Sequence, residues 1–110
     1  SKPYEVDWIE GSFLLTKRDL WEAINGFDNR YFMYVEDVDL CKEIANKKKK
    51  RLFFPAMSYI HFGGFNSKRE SLLIDGHRMF INKHYSGFYR FICLMFLKFN
   101  EIYKKIVKKM

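Results

Sequence analysis

At 110 residues the chain has room for one domain. Its composition, 48% hydrophobic and 30% charged with two prolines and six glycines, excludes a disordered or fibrous chain. A net charge of +7 points to an anionic partner: nucleic acid, a phospholipid surface or a phosphate-bearing substrate.

The charge is concentrated in two runs. Lys42 to Arg51 holds six basic residues and one acid, and Lys98 to Met110 holds five lysines and one acid. Aromatic residues make up 19% of the chain, so part of that surface is expected to face something other than its own core. No charged-then-apolar leader follows Ser1, so a secretory signal is not expected, and the start reads as a cut through a longer polypeptide. Cys41 and Cys93 show no metal-type spacing, and their apolar contexts predict buried reduced thiols in a cytoplasmic protein.

In chain order, Val6 to Thr16 reads as extended around the Glu10-Gly11-Ser12 break. Thr16 is a candidate cap for a helix over Lys17–Ile24, which Asn25-Gly26 ends. Phe27 to Val35 is an aromatic loop. A better-defined helix starts near Glu36-Asp37 and places Val38, Cys41, Ile44 and Ala45 on one face. Three acids in its first turn, Glu36, Asp37 and Asp39, suit the positive end of the helix dipole. Leu52-Phe53-Phe54 and Met57 to Phe62 predict short buried strands around Pro55, and Gly63-Gly64 opens a loop.

A second long helix is predicted over Arg69–Tyr85, with Leu72, Leu73, Met79 and Phe80 as apolar contacts. Phe91 to Leu97 is apolar all round, and from Lys98 an amphipathic pattern follows. Phe99, Ile102, Tyr103, Ile106 and Met110 share one face, opposite Lys98, Glu101, Lys105, Lys108 and Lys109. The apolar run is shorter than the roughly 20 residues a spanning helix needs. The expected organisation is therefore a domain over residues 1–90 and a basic amphipathic helix over 91–110.

Several motifs stand together: Val6-Asp7-Trp8, Gly11-Ser12-Phe13-Leu14-Leu15, Gly26-Phe27-Asp28, Phe32 through Cys41 with its Glu36-Asp37 pair, Pro55 and His61-Phe62-Gly63-Gly64. In order and spacing they resemble the second half of bacterial family-2 glycosyltransferases, particularly the rhamnosyltransferases that act on cell-surface polysaccharides. The resemblance implies an α/β fold, the C-terminal part of a GT-A nucleotide-diphospho-sugar transferase, with short strands, helices and a helical tail. It implies an inverting transfer of sugar from a nucleotide diphosphate donor to a saccharide acceptor, expected to be lipid-linked, as in cell-surface polysaccharide synthesis. The segment alone, without the N-terminal half of the same polypeptide, is expected to be inactive.

By that resemblance Asp37 is the base that takes the acceptor's proton, and His61 completes a site for Mn²⁺ or Mg²⁺. Trp8, Glu10, Gly11 and Glu36 face donor sugar and acceptor, glycine permitting close backbone approach. Without the motif, the three acids would simply favour a helix start, and His61 would be a hydrogen-bonded residue at a strand edge. Asp37-Val38-Asp39 is formally a D-x-D, but residues two apart on a helix point about 200° apart, so they do not share one metal. Asp39 is assigned to the helix start or to support of the site. His77 and His84 have no such context. Two departures stand out: Glu10 where relatives carry a small polar residue, and Lys47-Lys48-Lys49-Lys50 in place of a glycine-bearing helix end, with Asn46 a candidate substitute.

The competing reading is a non-catalytic module that binds the inner face of the cell membrane through residues 91–110. Nucleic-acid binding is not expected: the lysines segregate opposite an apolar face rather than interleaving with aromatics.

Overall fold

The computed structural model describes residues 2–64 and 66–110. Its order is β1 (Tyr4–Glu5), α1 (Arg18–Ala23), α2 (Glu36–Asn46), β2 (Leu52–Phe53), α3 (Arg69–His84) and α4 (Gly87–Lys109). The chain divides into two compact units, one of residues up to Arg30 with Glu36–Asn66, the other of Tyr31–Val35 with Ser67–Met110.

In the first unit β1 and β2 pair antiparallel, Tyr4 opposite Phe53 and Glu5 opposite Leu52. The Tyr4 and Phe53 rings lie 5.5 Å apart across this ladder. The Val6 amide donates to the Arg51 carbonyl, and the Arg51 guanidinium donates to the Glu5 carboxylate and the Asp7 carbonyl, extending the pairing at one end. Leu52 and Phe53 are exposed, which corrects the expectation of a buried strand: the two strands make a ribbon that no further strand extends among the described residues. Met57 to Phe62 forms no strand among the described residues, and Met57, Tyr59, Ile60 and Phe62 are exposed. High strand propensity yields a strand only where a ladder partner is available, and none is offered to this segment.

Helix α1 starts one residue later than expected. Its N-cap is Lys17, which makes no side-chain capping bond, so Thr16 is not the cap. The other end follows the sequence closely. Asn25 (φ 60°) takes the left-handed position, its amide donating to the Glu22 carbonyl and that of Gly26 to the Trp21 carbonyl. These two bonds form a Schellman end. A Cβ on Gly26 would lie 2.6 Å from the Trp21 ring, so only glycine fits there.

Helix α2 carries the core of this unit: Asp39, Leu40, Cys41 and Ile44 are buried, Leu40 and Cys41 at 1% exposure. The buried stripe is rotated from the expected one, taking in Leu40 in place of Val38. The helix closes with the same bond pattern as α1, Lys48 donating to Ala45 and Lys49 to Ile44. Lys48 (φ 60°), not Asn46, occupies the position a glycine would take. A left-handed non-glycine residue costs roughly 1–2 kcal/mol, which the two satisfied carbonyls offset.

In the second unit α3 and α4 pack as an antiparallel hairpin, joined through Tyr85 and Ser86. The end of α4 meets the start of α3, where Lys108 Nζ lies 2.6 Å from Glu70 Oε2. This lysine holds the Glu70 carboxyl below its usual range, and Lys105 does the same for Glu101. Helix α4 runs unbroken from Gly87, so the boundary expected at residues 90/91 falls inside one helix. Gly76 is the buried residue of α3, and it faces Val35 and the Tyr34 carbonyl. Tyr34 and Val35 both have positive φ, 72° and 69°. For a β-branched residue this is a strained conformation, maintained only where its surroundings over-determine it.

Candidate functional site at the start of helix α2

Six side chains or backbone positions were singled out by sequence: Trp8, Glu10, Gly11, Glu36, Asp37 and His61. All belong to the first unit. The segment Ile9 to Ser12 lies across the first two turns of α2 and is tied down at three points. The Ile9 amide donates to Cys41 Sγ at 3.4 Å, and the Gly11 amide donates to Asp37 Oδ2 at 2.9 Å. Ser12 and Tyr59 hydroxyls share a hydrogen bond of 2.6 Å, with the Phe13 and Tyr59 rings stacked 5.3 Å apart.

Asp37 is thus oriented from both sides. Its Oδ2 accepts from Gly11, and its Oδ1 accepts from the Val38 amide at 2.8 Å. The approach is close: a Cβ on Gly11 would lie 3.3 Å from the Asp37 Cβ, tighter than ordinary contact, so a side chain there would push its neighbour by a few tenths of an ångström. Glu10, the next residue back, brings its Oε1 to 4.0 Å from His61 Nδ1, both side chains more than half exposed. One short segment therefore carries two contacts, amide to Asp37 and carboxylate to His61. Glu36 Oε2 is buried without a hydrogen-bond partner among the described residues, an acceptor that a hydroxyl donor would satisfy. Trp8 is half exposed, and no ring stacks on it among the described residues.

Asp39 does not share the surface of Asp37. It is 2% exposed while Asp37 meets Gly11, so the two acids of the formal D-x-D diverge as helix geometry requires. His77 hydrogen-bonds within α3 to the Leu73 carbonyl, and His84 lies against Phe80 in the same helix. Tyr59 was missed by sequence reasoning. Its signal was present only as one aromatic in a run read as a strand; its pairing with Ser12 spans 47 residues.

Burial pushes the Cys41 thiol up, with the nearby Asp37 charge adding to this and the Ile9 amide and Arg51 opposing it. The thiolate is the reactive form, so Cys41 should be alkylated at neutral pH on the order of tenfold or more slowly than Cys93. Peptide mapping after timed iodoacetamide treatment checks this, and equal rates would show that the segment at Ile9 does not cover α2.

Partial relatives of the chain are named rhamnosyltransferases, which supports a glycosyltransferase-like family. Rhamnosyltransferase WbbL of Escherichia coli (strain K12) is 38% identical over 63 residues, 57% of this chain and 24% of that protein. N-acetylglucosaminyl-diphospho-decaprenol L-rhamnosyltransferase of Mycobacterium tuberculosis is 33% identical over 90 residues, 77% of this chain and 29% of that protein. The chain thus matches only 24% to 29% of the length of these curated relatives. No family model matches it, and no solved structure matches it.

Proposed function

We propose that this chain is a C-terminal part of an inverting, GT-A type glycosyltransferase of family 2, acting in cell-surface polysaccharide synthesis. The observation that carries the reading is the Asp37 carboxylate, set in the first turn of α2 and fixed by the Gly11 amide at 2.9 Å. The named rhamnosyltransferases support the same class, and a rhamnosyl donor with a lipid-diphosphate-linked saccharide acceptor is the substrate pair we infer. With a nucleotide-sugar donor, we infer that the reaction takes place on the cytoplasmic side.

Asp37 takes the proton of the acceptor hydroxyl as its oxygen bonds to the anomeric carbon. The bond from that carbon to the donor diphosphate breaks on the opposite face, its electron pair leaving with the diphosphate oxygen. The Gly11 amide holds Asp37 in the orientation this requires, and a preset geometry removes most of the entropic barrier. Glu36 would reach a sugar hydroxyl only with its buried Oε2 turned outward, and Trp8 offers an exposed ring face to a sugar.

We assign a divalent cation to the pair of His61 and Glu10, an imidazole nitrogen and a carboxylate oxygen 4.0 Å apart, both exposed. Mn²⁺ or Mg²⁺ held there would neutralise the donor diphosphate. In the complete transferase, His61→Ala should raise the metal concentration for half-maximal sugar transfer by roughly tenfold or more, the usual scale for a lost supporting group. Transfer measured against Mn²⁺ concentration checks it. An unchanged metal curve would return His61 to a structural role. A purely membrane-binding module accounts for α4 but gives no reason for the Gly11–Asp37 contact.

A further inference from the structure

We infer that the outward face of α4 is a docking surface for an anionic phospholipid bilayer, and this goes beyond the transferase reading without depending on it. One side of the helix is spoken for by α3. Lys108 bonds Glu70, Arg78 reaches Glu101, and Leu97, Asn100 and Lys104 line a small cleft with Leu73, Ile74 and His77. At 3.6 residues per turn, the side opposite those contacts carries Phe88, Phe91, Met95, Phe99, Ile102 and Ile106, spaced by three or four throughout. All six are exposed, Phe88 at 74% and Phe99 at 71%. The stripe runs the whole helix, about 35 Å at 1.5 Å per residue. An apolar surface of that extent marks an interaction site on a soluble face.

Charge decides the occupant. Lys98, Lys105 and Lys109 follow one border of the stripe, and α4 as a whole holds six basic side chains against one acid. That acid, Glu101, is mostly buried toward α3, where Arg78, Lys98 and Lys105 surround it. Lys98 and Lys105 share that single acid, so the border keeps an excess of positive charge and matches a negatively charged headgroup layer. The pattern of large apolar residues on one face and lysines beside it is that of a helix lying in the plane of the interface. Among the described residues no helix is long and apolar enough to cross a membrane, so α4 rests on the bilayer.

Two variants of the 110-residue chain test this: Phe99→Ser/Ile102→Ser/Ile106→Ser, and Lys98→Gln/Lys105→Gln/Lys109→Gln. Each is sedimented with vesicles of phosphatidylcholine alone or mixed with phosphatidylglycerol, after circular dichroism has verified its helicity. The unaltered chain should partition onto the mixed vesicles, and the serine variant should lose about tenfold or more of that partitioning. The glutamine variant should lose most of the difference between mixed and neutral vesicles, and if the serine variant does not fold this result decides alone. Equal partitioning of all three chains overturns the proposal. So does a stripe that instead pairs two copies, seen as a dimer of the unaltered chain that becomes monomeric in the serine variant and ignores vesicles.

Discussion

Replacing Asp37 with asparagine in the complete transferase should lower turnover by roughly two to four orders of magnitude, the usual size of a general-base contribution. The substitution isolates the proton-accepting role. Asparagine keeps the shape, retains a carbonyl oxygen to accept the Gly11 amide, and still favours a helix start. Asparagine can accept only one of the Gly11 and Val38 amides, so stability should fall by about 1 kcal/mol while donor affinity is kept, and the loss appears in kcat and not in KM. Steady-state rates with a rhamnosyl donor measure it. A variant keeping more than about a tenth of the original turnover would remove Asp37 from the reaction.

Gly76→Val should destabilise the chain by about 3 kcal/mol, the upper end for overpacking a closed contact. A Cβ at this position would lie 2.7 Å from Val35 Cγ2, 3.0 Å from Val35 Cβ and 3.1 Å from the Tyr34 carbonyl oxygen. Two of these neighbours move only with the backbone, and that backbone is already held at positive φ. Gly76→Ala separates the competing effects. Alanine gains roughly 1 kcal/mol over glycine in a helix interior, so its net loss should be smaller, about 1 kcal/mol. Valine recovers less of that gain and adds two stiff methyl groups. Urea unfolding checks the series. Adding Val35→Gly should restore part of what Gly76→Val removes, because the clash is pairwise. A Gly76→Val chain unfolding at the unaltered midpoint would show that the Tyr34-Val35 segment is not held against α3.

Tyr34 and Val35 immediately precede Glu36 and Asp37, so the path of the chain into α2 passes through two left-handed residues. Val35 is 5% exposed and Arg69 stands over the Tyr34 ring at 5.8 Å, contacts that keep the strained turn in place.

The four helices were legible in the sequence to within two residues at their starts and ends, apart from the start of α4. Their signals are local: apolar residues at helical spacing, three acids opening α2, Asn25-Gly26 closing α1. Glu36, Asp37 and His61 were singled out through the order of the motifs around them, as candidates. What only the tertiary structure decided is what depends on residues far apart in the chain. The Gly11 amide meets Asp37 across 26 residues, and Ser12 meets Tyr59 across 47. Neither separation leaves a periodic trace. Met57 to Phe62 had the composition of a strand but no partner to pair with, since a ladder is a property of two segments. Along α4 the sequence alone determined that apolar and basic faces exist. Packing against α3 decided which one is left outward, because a helix shows its faces equally until a neighbour covers one.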